Sequence, residues 1–331
     1  MIVKQTISLC PTCYKEIPAV VDMQPNGVFL VKDCSEHGRS GALVERSSDY
    51  YVQCMNAGAT NIYNGYFMDV TQRCNLKCKF CYHSIDTSED PSIGYLKDEA
   101  SIHAWRAPII LHGGEPSLRK DLPKLITELE EIAPGVELLT NGTGVVNRVD
   151  EILPLITNPN GVARLNLSMH TESRGVDAAL IEEVLKKGKK IESVLFVIDD
   201  LSQIDDIIKF GDNYDGRIES IRIKAATCLW AEQKPEKKIF VSDMLNYIKR
   251  SHTVEPMWWR NNKTSFFNIM VGGTCYMLVS WYDVHNVDLL DIACPPYYRS
   301  RSGRVENIVT ACLINEGMSK GWLNGIRIGD K

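Results

Sequence analysis

Residues 66–83 read YFMDVTQRCNLKCKFCYH: an apolar run that breaks into a loop holding Cys74, Cys78 and Cys81 in a C-x3-C-x2-C spacing. The run YFMDV, aromatic and β-branched, reads as a strand, so the cysteines follow a strand end. A structural zinc site closes with four ligands, and an ordinary iron–sulfur cubane takes four thiolates. No fourth cysteine lies close by. Three ligands on one short loop read as a metal site left incomplete.

Outward from this loop the chain alternates short β-rich runs with longer helical patterns. YFMDV (66–70), APIILHGG (107–114), VELLTNG (136–142), ARLNLSMH (163–170), SVLFVID (193–199) and SIRIKAA (220–226) read as strands. Between them lie segments such as LRKDLPKLITELEEI (118–132), whose apolar positions return at three- and four-residue steps. Such β/α units predict parallel strands joined by right-handed crossovers, hence an open or closed α/β barrel. A doubly wound sheet fits less well, because no G-x-G-x-x-G follows the first strand.

Parallel α/β folds place their chemistry at the C-terminal strand ends. The second strand ends in HGGEP (112–116), the third in TNGT (140–143) and the fourth in SMH (168–170). Gly113 and Gly114 would let backbone approach a ligand closely, and Glu115 could pair with an ammonium group. Asn141 and Ser168 would add neutral hydrogen bonds around the same cavity.

Together these motifs resemble the radical S-adenosylmethionine (SAM) superfamily: CNLKCKFC fits its C-x3-C-x-aromatic-C loop, and HGGEP its GGE motif. The resemblance covers roughly residues 60–230 and implies a partial (β/α)6 TIM-like barrel. In that family three thiolates hold a [4Fe–4S] cluster whose fourth iron is chelated by SAM. The resemblance implies that Cys74, Cys78 and Cys81 hold the cluster and that Phe80 lies beside the adenine. It further implies that Gly113, Gly114 and Glu115 receive the methionine ammonium, and that Asn141, Ser168 and Arg222 contact the SAM ribose or carboxylate. The implied reaction is reductive cleavage of SAM to a 5′-deoxyadenosyl radical that takes hydrogen from an unactivated carbon. Reduced ferredoxin or flavodoxin would supply the electron, and the protein would orient the reactants and exclude water and oxygen.

Upstream, CPTC (10–13) and CSEH (34–37) are separated by twenty residues, a two-knuckle metal pattern with Cys10, Cys13, Cys34 and His37 as ligands. Zinc, or a single iron as in rubredoxin, would suit it. The segment between reads as a hairpin turning at Pro25-Asn26-Gly27, which brings the knuckles together. A C-P-x-C…C-x-E-H-G element before the three-cysteine loop resembles the radical SAM group that includes tetraether lipid synthase and pterin-methylating relatives. The expected organisation is a metal-knuckle β element at 1–58, a barrel at 59–230 and an irregular α+β region covering the substrate at 231–331. MWW (257–259), FF (266–267), WY (281–282) and YY (297–298) could line a pocket there, or simply form core. Cys228, Cys275, Cys294 and Cys312 could converge to hold a second iron–sulfur cluster; against this, none forms a C-x2-C pair.

Composition narrows the class. A net charge of −5 over 331 residues argues against a nucleic-acid binder, and no stretch approaches a membrane span. Eleven cysteines with no signal-peptide pattern in MIVKQTISLCPTC predict a reducing, cytoplasmic setting in which cysteines bind metal or pack as small apolar residues. The expected function is an enzyme acting on a carbon centre of a small molecule or lipid. A peptide-modifying enzyme and a non-catalytic metal-based redox sensor are the alternatives, and HGGEP argues against the sensor, which needs no ammonium-binding glutamate.

Overall fold

Two sheets organise the described residues. The computed structural model describes residues 1–13, 15–57, 66–78, 81, 85, 87, 89–103, 108–169, 174–226, 238–257, 266–280, 297–299 and 305–306. The first sheet is antiparallel: β1 (Ile2–Leu9), β2 (Glu16–Gln24), β3 (Gly27–Cys34) and β4 (Gly38–Glu45), in that order. Side chains alternate across a strand, and β2 buries Ile17, Ala19 and Val21 at every second position. Ala19 and Val21 pack with Val28, Leu30 and Val44 beneath Tyr51 of α1 (Ser48–Ala57). Gln24 pairs with Gly27, so β2 and β3 turn through Pro25-Asn26, as the hairpin reading expects.

The second sheet carries β5 (Tyr66–Thr71), β6 (Ile109–Gly113), β7 (Val136–Thr140), β8 (Val162–Met169), β9 (Lys190–Ile198) and β10 (Ile218–Ala225) as parallel neighbours in chain order. Helices α2 (Ile93–His103), α3 (Leu122–Glu130), the short α4 (Val149–Ile152), α5 (Arg174–Lys186) and α6 (Gln203–Asn213) fill the successive crossovers. This is the partial (β/α)6 TIM-like barrel. One face of each strand joins the main core: Leu165 and Leu167 of β8, for example, pack in one cluster with Leu125 and Leu129 of α3 and Ile181 and Val184 of α5. The third helical segment starts later than its apolar pattern, at Leu122, with Pro123 in its first turn, because 116–118 forms a separate 3-10 turn.

After α7 (Val241–Ile248), the region read as irregular adds regular strands. β11 (Glu255–Pro256), β12 (Phe266–Val271) and β13 (Thr274–Val279) follow, with β13 parallel to β10 and antiparallel to β12. β14 (Tyr297–Arg299) lies parallel to β5 at the other edge and pairs with β15 (Val305–Glu306). The six-strand core is thus extended on both sides by backbone pairing that periodicity alone does not reveal.

The antiparallel sheet is fastened to α7 and to the β12–β13 side of the second sheet. Buried Glu45 accepts hydrogen bonds from the Ser242 hydroxyl and from the Arg46 and Ser47 backbone N–H groups. Burial pushes its carboxyl up, against those three donors. Arg46 lies 3.1 Å from Asp243 and stacks over Phe240, and Tyr50 meets Phe267 edge-on at 5.6 Å.

One buried cation brackets the loop that follows β5. Arg119, 2% exposed, donates from Nη1 to the Val70 carbonyl (2.8 Å) and the Pro91 carbonyl (2.9 Å), and forks onto Asp121. Val70 and Pro91 mark the entry and exit of the cysteine-bearing segment, and Asp90 closes it further through Thr71 and Arg73. Hydrogen bonds to charged groups contribute about 1.5–3 kcal/mol each. Arg119→Met should therefore cost about 3 kcal/mol in urea unfolding. A loss below about 1 kcal/mol, the scale of a neutral hydrogen bond, would contradict this bracketing role.

Candidate functional site

The cysteine loop sits at the C-terminal end of β5 because the backbone ladder between β5 and β6 continues past both strands. Gly114 N–H donates to the Thr71 carbonyl and Glu115 N–H to the Arg73 carbonyl, both at 2.8 Å. The paired glycines are needed for this contact. A Cβ on Gly113 would lie 2.1 Å from the Thr71 oxygen, and one on Gly114 would lie 2.1 Å from the Arg73 oxygen and 3.1 Å from Cys74 Cβ. Gly113 also has φ +135°, where side chains are strained. The close approach that the sequence suggested for a ligand is, here, first an approach to the cysteine loop itself.

Cys74, Cys78 and Cys81 are half-buried, and none forms a disulfide. Leu76 N–H points at Cys74 Sγ (3.4 Å), and Cys81 N–H donates to the Cys78 carbonyl (3.0 Å). Burial raises the Cys74 thiol, partly offset by the Leu76 N–H. Among the described residues, the one group whose ligand atoms all lie within 4.8 Å of each other is at the N-terminus, not here.

Glu115 is 1% exposed, and its carboxylate is ringed by protein donors: Ser117 N–H (2.9 Å), the Thr140 hydroxyl (2.6 Å) and Asn141 N–H (2.7 Å). Burial pushes its pKa up and these donors push it down, with burial prevailing. Asn141 uses its amide side chain on neighbours as well, donating to Asn75 Oδ1 (3.0 Å) and accepting from Thr143.

Ser168 and Arg222 alternate with the core-facing residues of β8 and β10 and stand at one level of the sheet, each paired in register with Leu195 of β9. Below Ser168 lies a buried polar ladder that the sequence reading did not single out. Asn166 donates to Glu137 (3.1 Å) and accepts from Ser193 (2.6 Å) and from Arg222 (3.3 Å). The alternation Arg164-Leu165-Asn166-Leu167-Ser168 was the available signal, since a polar residue at every second position of a parallel strand lines the inner face. Phe80, Cys228, Cys294 and Cys312 lie outside the described residues, as do Trp258, Trp259, Trp281 and Tyr282 of the aromatic runs. Cys275 is buried on β13 with its thiol 3.7 Å from Met257 Sδ.

The N-terminal knuckles do converge. Cys10 Sγ and Cys34 Sγ lie 3.7 and 3.6 Å from His37 Nδ1, and Cys13 Sγ lies 3.9 Å from Cys34 Sγ. A tetrahedral ion with metal–sulfur bonds of about 2.3 Å and metal–nitrogen bonds of about 2.0 Å spaces its ligand atoms roughly 3.5–3.8 Å apart. Cys10 and Cys13 follow the end of β1, while Cys34 ends β3 and His37 sits in the β3–β4 turn, so the sheet pairing brings the ligands together. Burial would raise the Cys10 thiol, but the Cys13 and Thr12 N–H groups outweigh it and lower it to about 6, which favours a ligating thiolate.

Family models match two stretches of the chain. Residues 2–46 match the HMPTM N-terminal zinc ribbon domain, and residues 68–222 match the Radical SAM superfamily. A 7,8-dihydro-6-hydroxymethylpterin dimethyltransferase of Methanocaldococcus jannaschii is 29% identical over 179 residues, 44% of this chain and 35% of that one. A probable GTP 3′,8-cyclase of Sulfurisphaera tokodaii is 31% identical over 163 residues, 43% of this chain and 50% of that one. The chain thus spans between a third and a half of the length of these relatives. The solved structure of Streptococcus suis SuiB bound to precursor peptide SuiA superposes with a TM-score of 0.44 at 12% identity, over 74% of this chain and 69% of that one. No helix among the described residues is long and apolar enough to cross a membrane.

Two outcomes follow from this geometry. Gly114→Ala forces a Cβ into the Arg73 carbonyl, so the loop should lose its seat: iron bound after anaerobic loading should fall sharply while far-UV circular dichroism stays unchanged. Full iron retention would show that the glycine contact is dispensable. Cys10→Ser should release the N-terminal metal and unfold the antiparallel sheet, since structural zinc contributes about 10–16 kcal/mol of binding free energy in zinc-finger peptides. Metal analysis that finds no difference from the unsubstituted protein would mean that the knuckles bind nothing.

Proposed function

We propose that this chain, which belongs to the radical SAM superfamily and carries an HMPTM-type zinc ribbon, is an enzyme that holds a [4Fe–4S] cluster on Cys74, Cys78 and Cys81 and acts with SAM on a carbon centre of a small molecule. The observation that carries this reading is the three-thiol loop seated by backbone on Gly113 and Gly114 at the C-terminal end of a parallel strand. Held there by the three thiolates, the cluster together with SAM would supply one-electron radical chemistry at an unactivated C–H bond.

The chain's own residues bind and orient. The 113–115 loop receives the methionine ammonium, and Ser168 and Arg222 on the inner face receive the ribose and carboxylate. Asn141, at the end of β7, would add a neutral hydrogen-bonding group beside them. A low-potential carrier of the ferredoxin or flavodoxin type supplies the electron. Cys10, Cys13, Cys34 and His37 hold zinc or a single iron in a structural role, because all four positions of a tetrahedral ion are filled from the protein.

The substrate class we favour is a small nitrogen heterocycle. The relatives are named for a dihydropterin and for GTP, and both molecules contain a 2-amino-4-oxopyrimidine ring. The buried polar ladder of Glu137, Asn166 and Ser193 makes that side of the barrel interior polar, which a lipid chain would not match.

Anaerobically reconstituted, reduced protein should convert SAM to 5′-deoxyadenosine, with faster turnover when a reduced pterin is added. Replacement of all three loop cysteines by Ala should abolish it. Cleavage that survives in the triple variant would sink the assignment of the cluster. Stimulation by lipid or peptide but not by pterin would move the substrate class and leave the cluster in place.

A further inference from the structure

The residue inside the C-x3-C spacing that no role yet explains is Asn75. Its amide joins a closed ring of three hydrogen bonds with the loop after β7. Asn75 Nδ2 donates to Thr143 Oγ1 (2.7 Å), Thr143 Oγ1 donates to Asn141 Oδ1 (2.6 Å), and Asn141 Nδ2 donates to Asn75 Oδ1 (3.0 Å). Each of the three side chains in the ring donates one hydrogen bond and accepts another within it. The far side of the ring is anchored, because Asn141 is buried and its backbone N–H is held by Glu115. The near side is Asn75 itself, exposed on the rim, whose neighbour Leu76 directs its backbone N–H at Cys74 Sγ.

We infer that Asn75, Asn141 and Thr143 form a latch that positions the cysteine loop, with Asn75 and Thr143 acting as positioning residues for the Cys74 thiolate. This inference rests on the cluster reading above. The backbone ladder to β6 ends at Arg73, so among the described hydrogen bonds it is the latch that ties Asn75 to the barrel. Without it, the N–H that faces Cys74 would sample other directions. Hydrogen bonds to a cluster's sulfurs are among the factors that set its potential, since they stabilise the more negative reduced form. A loosened latch should therefore make the cluster harder to reduce.

The test uses the full chain. Asn75→Ala and Thr143→Val each break the ring, whereas Thr143→Ser keeps the hydroxyl that carries two of its bonds. Amide exchange at Asn75 and Leu76 should accelerate about tenfold in Asn75→Ala and in Thr143→Val, on the scale of one or two lost hydrogen bonds. Thr143→Ser should exchange like the unsubstituted protein. In reconstituted protein the midpoint potential should move to more negative values in the same two variants, and the double variant should move no further than either single one, because both break a single unit. Exchange rates and potential unchanged in Asn75→Ala, or shifts that simply add in the double variant, would overturn the latch. Failure of the unsubstituted protein to take up iron on its three loop cysteines would instead overturn the cluster reading, and it is detected by iron counting before any variant is compared.

Discussion

The contact on which the rest of the site depends is backbone against backbone. Thr71–Arg73 and Gly113–Glu115 run side by side, with two hydrogen bonds and no room for a Cβ at either glycine. Ordinary side chains would push the strands' continuations apart and swing the cysteine loop away from the barrel mouth. Because glycine costs conformational entropy on folding, such a pair is retained only where a contact demands it. Here the contact decides where three thiols stand.

Several other features reinforce the same placement. Arg119 grips the carbonyls at both ends of the segment carrying the loop. Glu115 ties the loop after β6 to the loop after β7 with a carboxylate that takes three donors. Asn75 joins the cysteine loop to that same β7 loop. The loops after β5, β6 and β7 therefore behave as one hydrogen-bonded unit. A catalytic centre that must hold a reactive species close to its target gains from such rigidity, since small displacements are costly in rate.

The N-terminal sheet is built by a different logic. Its core is a short stack of aliphatic side chains, and its far end is pinned by four metal-type ligands. A sheet of this size buries little apolar surface, so metal ligation and docking supply what the core lacks. The docking is specific: Glu45 and Arg46 meet Ser242 and Asp243 at the start of α7, and Tyr50 meets β12. The ribbon is thus part of the wall beside the extended sheet edge.

Much of this was legible in the linear chain. Cysteine spacing, a period of β and α segments, and glycines at strand ends identify the barrel and its loop, because each is a local consequence of ligand chemistry or chain geometry. Paired knuckles separated by a hairpin likewise pointed to the four ligand-type residues that converge in the ribbon. What the chain by itself could not reveal are relations between residues far apart in sequence. That Gly114 packs on Arg73, that Asn75 closes a ring with Thr143, and that Glu115 faces inward to Thr140 are decided only when strands come side by side. The same holds for β13, whose Thr274–Val279 pairs with β10 some fifty residues earlier. Local sequence sets propensity and ligand type. Partner choice across a parallel sheet depends on register and crossover, and those exist only in the folded tertiary structure.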